Sequence, residues 1–248
     1  MSDDTYSFLN EPKNMHAREA ILMHRLFLDT KLAAARRSYY LNTYFDEVDH
    51  DGFDVIFDDQ DSIKKIQVKS VGANNATRSW KIHKTILRPS LGMSDKLGFE
   101  ASPEGIGVEG GVVLIEYKVQ GGKLLAKYYY TDVFILLAFE IGLIVRKHKA
   151  SSETIQKCLL GLRKGLGNEV LSVPKSAFLA ASDPDALLSL MGLHSQKDIG
   201  WKHILVCLVN QVRGDHKIEL LAPEAKLKFE FWQKFEALVD DRKLSGAT

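Results

Sequence analysis

The stretch "GFDVIFDDQDSIKKIQVKS" (Gly52–Ser70) decides how this chain is read. Two arms rich in Ile, Val and Phe flank the polar run "DDQDS", the pattern of a β-hairpin whose arms are largely buried. Yet Asp54 sits in the first arm, and Gln67 and Lys69 sit in the second. Buried polar and charged groups need partners. A two-residue loop centred on Gln60 and Asp61 would set Asp54 opposite Gln67, with Cβ atoms ~4.5–5.5 Å apart. Strand periodicity puts Lys69 on the face of Gln67, opposite Gly52, which leaves that position open. A carboxylate, an amide oxygen and an ammonium thus gather in one place. A diagonal Asp54–Lys69 ion pair on a half-exposed sheet would account for the two charges, but for neither Gln67 nor Gly52.

Around the hairpin the pattern is that of an α/β protein. Residues 14–37 form an expected long helix with Asn14 as N-cap. At 100° per residue, Met15, Leu22, Met23, Leu26 and Ala33 share one face, with Glu19 in its middle. Arg18, Arg25, Asp29 and Arg36 form a separate stripe. "YYLNTYFDEV" (39–48) is β-prone, and "VGANNATRSWK" reads as a loop. "SWKIHKTILRP" reads as a strand or a short helix. Val112–Val119 and "KLLAKYYYTD", joined by Gly121-Gly122, make a second hairpin, followed by a buried helix over 132–146. Helices are expected at 151–164, after Asp183-Pro184 and in "APEAKLKFEFWQKFEALVDDRKL", with a short strand in "NEVLSVPKSAFL". "WKHILVCLVNQ" fits strand or helix equally. A soft boundary falls near residue 150, giving 1–150 as the domain that carries the hairpin and 151–248 as an α-rich C-terminal region. That region has no nameable chemistry; target recognition, homodimerisation or an extra layer on the same domain are its open roles.

Composition narrows the function classes. With 248 residues and a net charge of +1, the chain carries no strongly basic coat, but its charge is polarised. Residues 46–61 hold eight acids and no Lys or Arg, while residues 63–98 hold eight Lys and Arg against the single acid Asp95. Such a juxtaposition suits either a metal site beside a phosphate-binding face or two solvated, mutually compensating surfaces. Within the basic block, Arg78, Lys81, Lys84 and Arg88 are spaced for phosphate contacts, and Trp80 could stack on a base. The alternative is a core Trp with a solvated basic rim. Two distant cysteines, Cys158 and Cys207, and a start without a basic or apolar leader lead to the expectation of a cytoplasmic protein. "DVFILLAFEIGLIV" (132–145) falls short of the ~20 apolar residues a membrane span needs.

Glu19 on a first helix, Asp54 at a strand and Gln67-Val68-Lys69 on the next strand resemble the PD-(D/E)xK nuclease superfamily. The likeness is to members with a Q-x-K third motif, such as Mrr-like restriction enzymes, and to Holliday-junction resolvases in its helix-then-hairpin order. It covers roughly residues 14–145. Gln67 stands where Glu or Asp is usual, which removes a negative charge from the metal site. The resemblance implies a restriction-endonuclease-like core: a central mixed β-sheet flanked by helices. It also implies a Mg²⁺-dependent nuclease, with Mn²⁺ as a substitute, acting on nucleic acid and in the first place on DNA. Asp54, Gln67 and the Val68 carbonyl would hold the metal, Glu19 would reach it from the helix, and Lys69 would orient the attacking water. A catalytically weak nucleic-acid-binding module on the same fold, working as a subunit of a larger system, is the alternative. A third reading, a calcium loop over "EVDHDGFDVIFD" (47–58), lacks the flanking helices that motif needs.

Overall fold

The computed structural model describes residues 4–45, 52–101, 105–165, 169–213, 222–240 and 244–246. Helices α1 (Asp4–Asn10) and α2 (Met15–Ala35) lead into β1 (Asn42–Phe45), β2 (Val55–Asp58) and β3 (Ile63–Gly72). Then come β4 (Ser79–His83), α3 (Lys84–Leu87) and α4 (Leu91–Leu97). The long hairpin of β5 (Gly111–Gln120) and β6 (Lys123–Asp132) follows, with α5 (Val133–Glu140), β7 (Ile144–Arg146) and α6 (Lys149–Arg163) after it. The rest comprises β8 (Val170–Pro174), β9 (Leu179–Ala180), α7 (Pro184–Met191), α8 (Trp201–Val212), α9 (Glu224–Phe235) and β10 (Leu244–Gly246).

The central sheet has the order β1-β2-β3-β5-β6-β9. It is mixed, because β3 and β5 run parallel while its other neighbours pair antiparallel. A parallel pair cannot be joined by a tight turn, and here the crossover is made by β4, α3 and α4. Central position explains why Val112, Val113, Leu114 and Ile115 are fully buried on both faces, as an uninterrupted apolar run rather than an alternating one.

The β2–β3 hairpin takes the expected register, Val55 facing Ile66 and Asp58 facing Ile63. Its loop is held by its own acids. Asp58 Oδ1 accepts from the Gln60 amide at 2.8 Å, and Asp59 Oδ1 accepts from the Ser62 amide at 2.7 Å. Asp59 is buried, and its other oxygen accepts from the His194 amide at 2.6 Å, tying the loop to the C-terminal half. In the second hairpin, Gly121 and Gly122 both adopt positive φ, the backbone that a two-residue turn matching the strand twist demands.

Helix α2 packs one face of the sheet. Leu22, Leu26 and Ala33 are buried as the periodicity predicts, and Phe27 meets Phe57 edge-on at 5.9 Å. Arg25 and the Tyr128 hydroxyl both donate to Asp29 Oδ2, at 2.8 and 2.7 Å, which pins the polar stripe of α2 to β6. Met15, however, is exposed, so the buried face does not extend to the first turn.

Three expectations are adjusted. The buried helix expected over 132–146 ends at Glu140; Gly142, at positive φ, turns the chain, and Ile144–Arg146 becomes β7. "WKHILVCLVNQ" resolves as a helix, α8, because Trp201 anchors it against Phe231 and Phe235 of α9. "SWKIHKTILRP" holds both a strand and a short helix. Asp183 caps α7 as expected, accepting from the Ala186 amide at 2.7 Å.

The described elements from α6 onward share the same core as those before them: β9 extends the central sheet and β8 pairs with β4. None of the described helices is long and apolar enough to cross a membrane.

Candidate functional site

Asp54 lies one residue before β2, where the regular ladder stops. Its amide donates to the Ile66 carbonyl at 2.9 Å, while its carboxylate accepts from the Val68 amide at 2.5 Å. The side chain therefore takes the amide that a continued ladder would give to a backbone carbonyl. It is held against β3 between Gln67 and Lys69. Gln67 is 5% exposed, and its Oε1 accepts a long bond, 3.4 Å, from the His83 amide. Lys69 is half-buried, and its ammonium makes no hydrogen bond or ion pair among the described residues.

Gly52 does not leave the open position expected of it. It is buried at φ +74°, and a Cβ there would run into the imidazole ring of His83. His83 thus joins the site from the end of β4, touching both Gly52 and Gln67. The sequence carries only an indirect signal for this: a glycine in a buried hairpin arm demands a close neighbour, but not which one.

The remaining expected site residues divide. Glu19 is on an exposed turn of α2; its side chain is 55% exposed and lies 3.9 Å from His16, and none of its described contacts joins it to Asp54. In the basic segment, Lys84 is buried with its ammonium donating to the Gly165 carbonyl at 2.9 Å. Arg88 is 1% exposed and spends its guanidinium on backbone carbonyls of Gly105, Leu162 (2.7 Å) and Glu100 (3.2 Å). These two cations stitch the crossover to the loop before β5 and to α6, so a phosphate surface in this segment is left to Arg78 and Lys81, both exposed. Trp80 is half-buried, edge-on to Phe178 at 5.6 Å.

A hard cation such as Mg²⁺ takes oxygen ligands and keeps several waters. Asp54, the Gln67 amide oxygen and the Val68 carbonyl are all oxygen donors, which suits it. The set is thin in charge, with one carboxylate, and among the described residues no three His, Cys, Asp or Glu cluster to hold a metal. Glu47, Asp49 and Asp51, the start of the calcium-loop pattern, lie outside the described residues.

A second polar cluster gathers at the end of β6. Asp132 is fully buried; it accepts from Lys202 Nζ at 2.9 Å, from the Tyr130 hydroxyl at 3.1 Å and from the Ile135 amide at 2.9 Å. Lys64 lies nearby, donating to the Glu109 carbonyl at 2.6 Å, and burial lowers its pKa to about 8. Cys158 and Cys207 are free and buried, and burial pushes the Cys158 thiol up to about 12, far from a reactive thiolate at neutral pH. A scan against protein-family models finds no match to this chain, and a search of curated proteins finds none either.

Proposed function

We propose that the protein is a Mg²⁺-dependent phosphodiesterase on a restriction-endonuclease-like core, acting on nucleic acid and in the first place on DNA. One observation carries the reading: the Asp54 carboxylate is held at the β3 amide between Gln67 and Lys69. The helix-flanked mixed sheet supports it at the level of fold class.

In this reading Asp54, Gln67 and the Val68 carbonyl hold the metal. When bound, Mg²⁺ lowers the pKa of a water and offsets charge on the phosphate. Lys69 supplies what the neutral Gln67 cannot, a positive charge with three donors beside the carboxylate. It orients the attacking water and stabilises negative charge that grows on the phosphoryl oxygens in the transition state. The Val68 amide holds one Asp54 oxygen in place, so the carboxylate loses little freedom on engaging a ligand. Glu19 enters the site only if a ligand draws it in.

The test is cleavage of labelled single- and double-stranded DNA and RNA with Mg²⁺, with Mn²⁺ and with EDTA, beside the Asp54→Asn variant. Metal-dependent cleavage lost in Asp54→Asn is the expected result. The single carboxylate favours one second reading, a binding module on the same fold with weak catalysis. Wild-type protein that binds these substrates yet cleaves none with either metal would decide for it.

A further inference from the structure

A cleft of about 640 Å³ opens beside the end of the central sheet, lined by β6, β8, the start of α6 and the residue before β4. Among its described lining residues, Arg78, Lys127, Arg146, Lys147 and Lys175 face a single carboxylate, Asp240. His148 adds a titratable sixth base. Tyr129 and Phe178 supply aromatic surface, and the Lys127 and Lys175 ammonium groups sit over the Tyr129 ring at 5.8 and 5.6 Å.

The cations are not equivalent. Arg146 is braced on the Ser176 and Phe178 carbonyls at 2.8 and 2.7 Å, Lys175 pairs with Glu116 at 2.6 Å, and Lys127 pairs with Asp240 at 2.9 Å. Arg78 and Lys147 are exposed and make no ion pair among the described residues. Ala150, Ser151 and Thr154 also line the cleft, so the first turn of the fifteen-residue α6 adds the positive end of its dipole.

We infer that this cleft is a nucleotide-binding subsite that takes the phosphate and base of a nucleic-acid strand. The inference deepens the nuclease reading and rests on it for the identity of the strand. Size fits: pockets for single small ligands run ~300–1,000 Å³. Chemistry fits as well, since single strands are held by cationic grooves with aromatic platforms for bases.

Placement ties the cleft to the hairpin site in two ways. Lys69, Leu114, Tyr129 and Ala180 form one ladder row across β3, β5, β6 and β9. That row starts at Lys69 and ends at Tyr129 and Ala180, which line the cleft; Leu114 between them is fully buried, so the row sets their spacing across the sheet rather than an open path. Strand β4 makes the second link, running from Arg78 at the cleft to His83 at Gln67, with exposed Lys81 between. At ~3.3 Å per residue that path is about 17 Å, a reach a short strand of nucleic acid covers.

The test is binding without catalysis. In EDTA, fluorescence anisotropy follows a labelled single-stranded DNA oligonucleotide on wild type and on Arg78→Glu/Lys147→Glu, with melting temperature as the check on folding. The double charge reversal should weaken binding at least tenfold and reduce the slope of log K against log salt by ~1.4, two contacts at ~0.7 each for single strands. A free mononucleotide as competitor separates the sources: no displacement assigns the cleft to the strand, and displacement that the double variant abolishes assigns it to free nucleotide. Unchanged binding by the double variant, or no binding by wild type at low salt, overturns the inference. Cleavage with Mg²⁺ is read separately: a chain that binds through the cleft but cleaves nothing sinks the nuclease reading and leaves the subsite standing.

Discussion

Asp54 and Asp132 both lie at strand ends of the central sheet and live in opposite circumstances. Asp54 precedes β2, outside its ladder, with its carboxylate on the Val68 amide; Asp132 ends β6 and pairs with Gly111, whose own partner is Ile66. Asp132 is fully buried, with a lysine, a phenol and a helix amide all directed at it. Asp54 is half-buried, spends one oxygen on a strand amide, and has an amide and a lysine as neighbours along β3. Under the proposed function, the difference separates a charge that holds the fold from one that serves a ligand. Asp132 is fully buried with a lysine bonded to it. Asp54 accepts from a strand amide, and Lys69 is the cation that the proposed function assigns to it.

The sharpest way to break this comparison is to remove each lysine. Lys202→Met leaves Asp132 as a buried charge without its cation, which should cost ~3–5 kcal/mol of folding stability in a denaturant titration. Next in size is Lys69→Met. If Lys69 acts on charge that appears in the transition state, cleavage should fall ~10²–10³-fold while the melting temperature stays near wild type. Lys69→Met that unfolds as readily as Lys202→Met would show the two sites to be the same kind of structural ion pair. Lys69→Met that is fully active would remove the lysine from the chemistry.

What could be read in advance follows from how local each determinant is. The hairpin register was legible because a two-residue loop fixes it, and "DDQDS" supplies the polar groups that close such a loop. The fates of Arg78, Lys81, Lys84 and Arg88 were not legible. All four look alike along the chain, yet Lys84 finds its carbonyl 81 residues away and Arg88 finds one of its own 74 residues away. Only tertiary packing separates them from the two exposed members. The end of α5 was missed because an apolar run has no period to mark where helix gives way to strand. Gly142 was its one local signal.

A smaller effect tests Gly52. Any L-residue at φ +74° costs ~1–2 kcal/mol in backbone strain, and a Cβ there also displaces the His83 ring. Gly52→Ala should therefore lose stability by more than the strain alone. Adding His83→Ala should return the steric part and leave the backbone part. If the double variant is no more stable than Gly52→Ala, the contact between Gly52 and His83 does not shape the Asp54 side of the comparison.

The smallest effect belongs to the Asp132 side and is a matter of pH. Lys64 titrates near 8 in the folded chain against an ordinary value of 10.5, chiefly through burial and secondarily through the nearby Lys202 charge. Between these values the unfolded chain holds a proton that the folded chain has released, so this group makes stability rise with pH. Below pH 8 both states are protonated, the penalty for the buried ammonium is present in full, and the contribution is flat. Tyr128 and Tyr130 act the other way: burial beside Asp29 and Asp132 raises both phenols, so they favour the folded state less as pH climbs beyond 10. The useful window is therefore pH 8–10, read as the difference between wild type and Lys64→Met in urea titrations. Wild type should gain stability relative to the variant across that window, and the gain should shrink in Lys202→Met, where the neighbouring positive charge is gone. A difference that is flat with pH would mean that Lys64 keeps its proton in the folded chain. The polar cluster around Asp132 would then tolerate two ammonium groups, and the contrast with the hairpin site would rest on Lys202 alone.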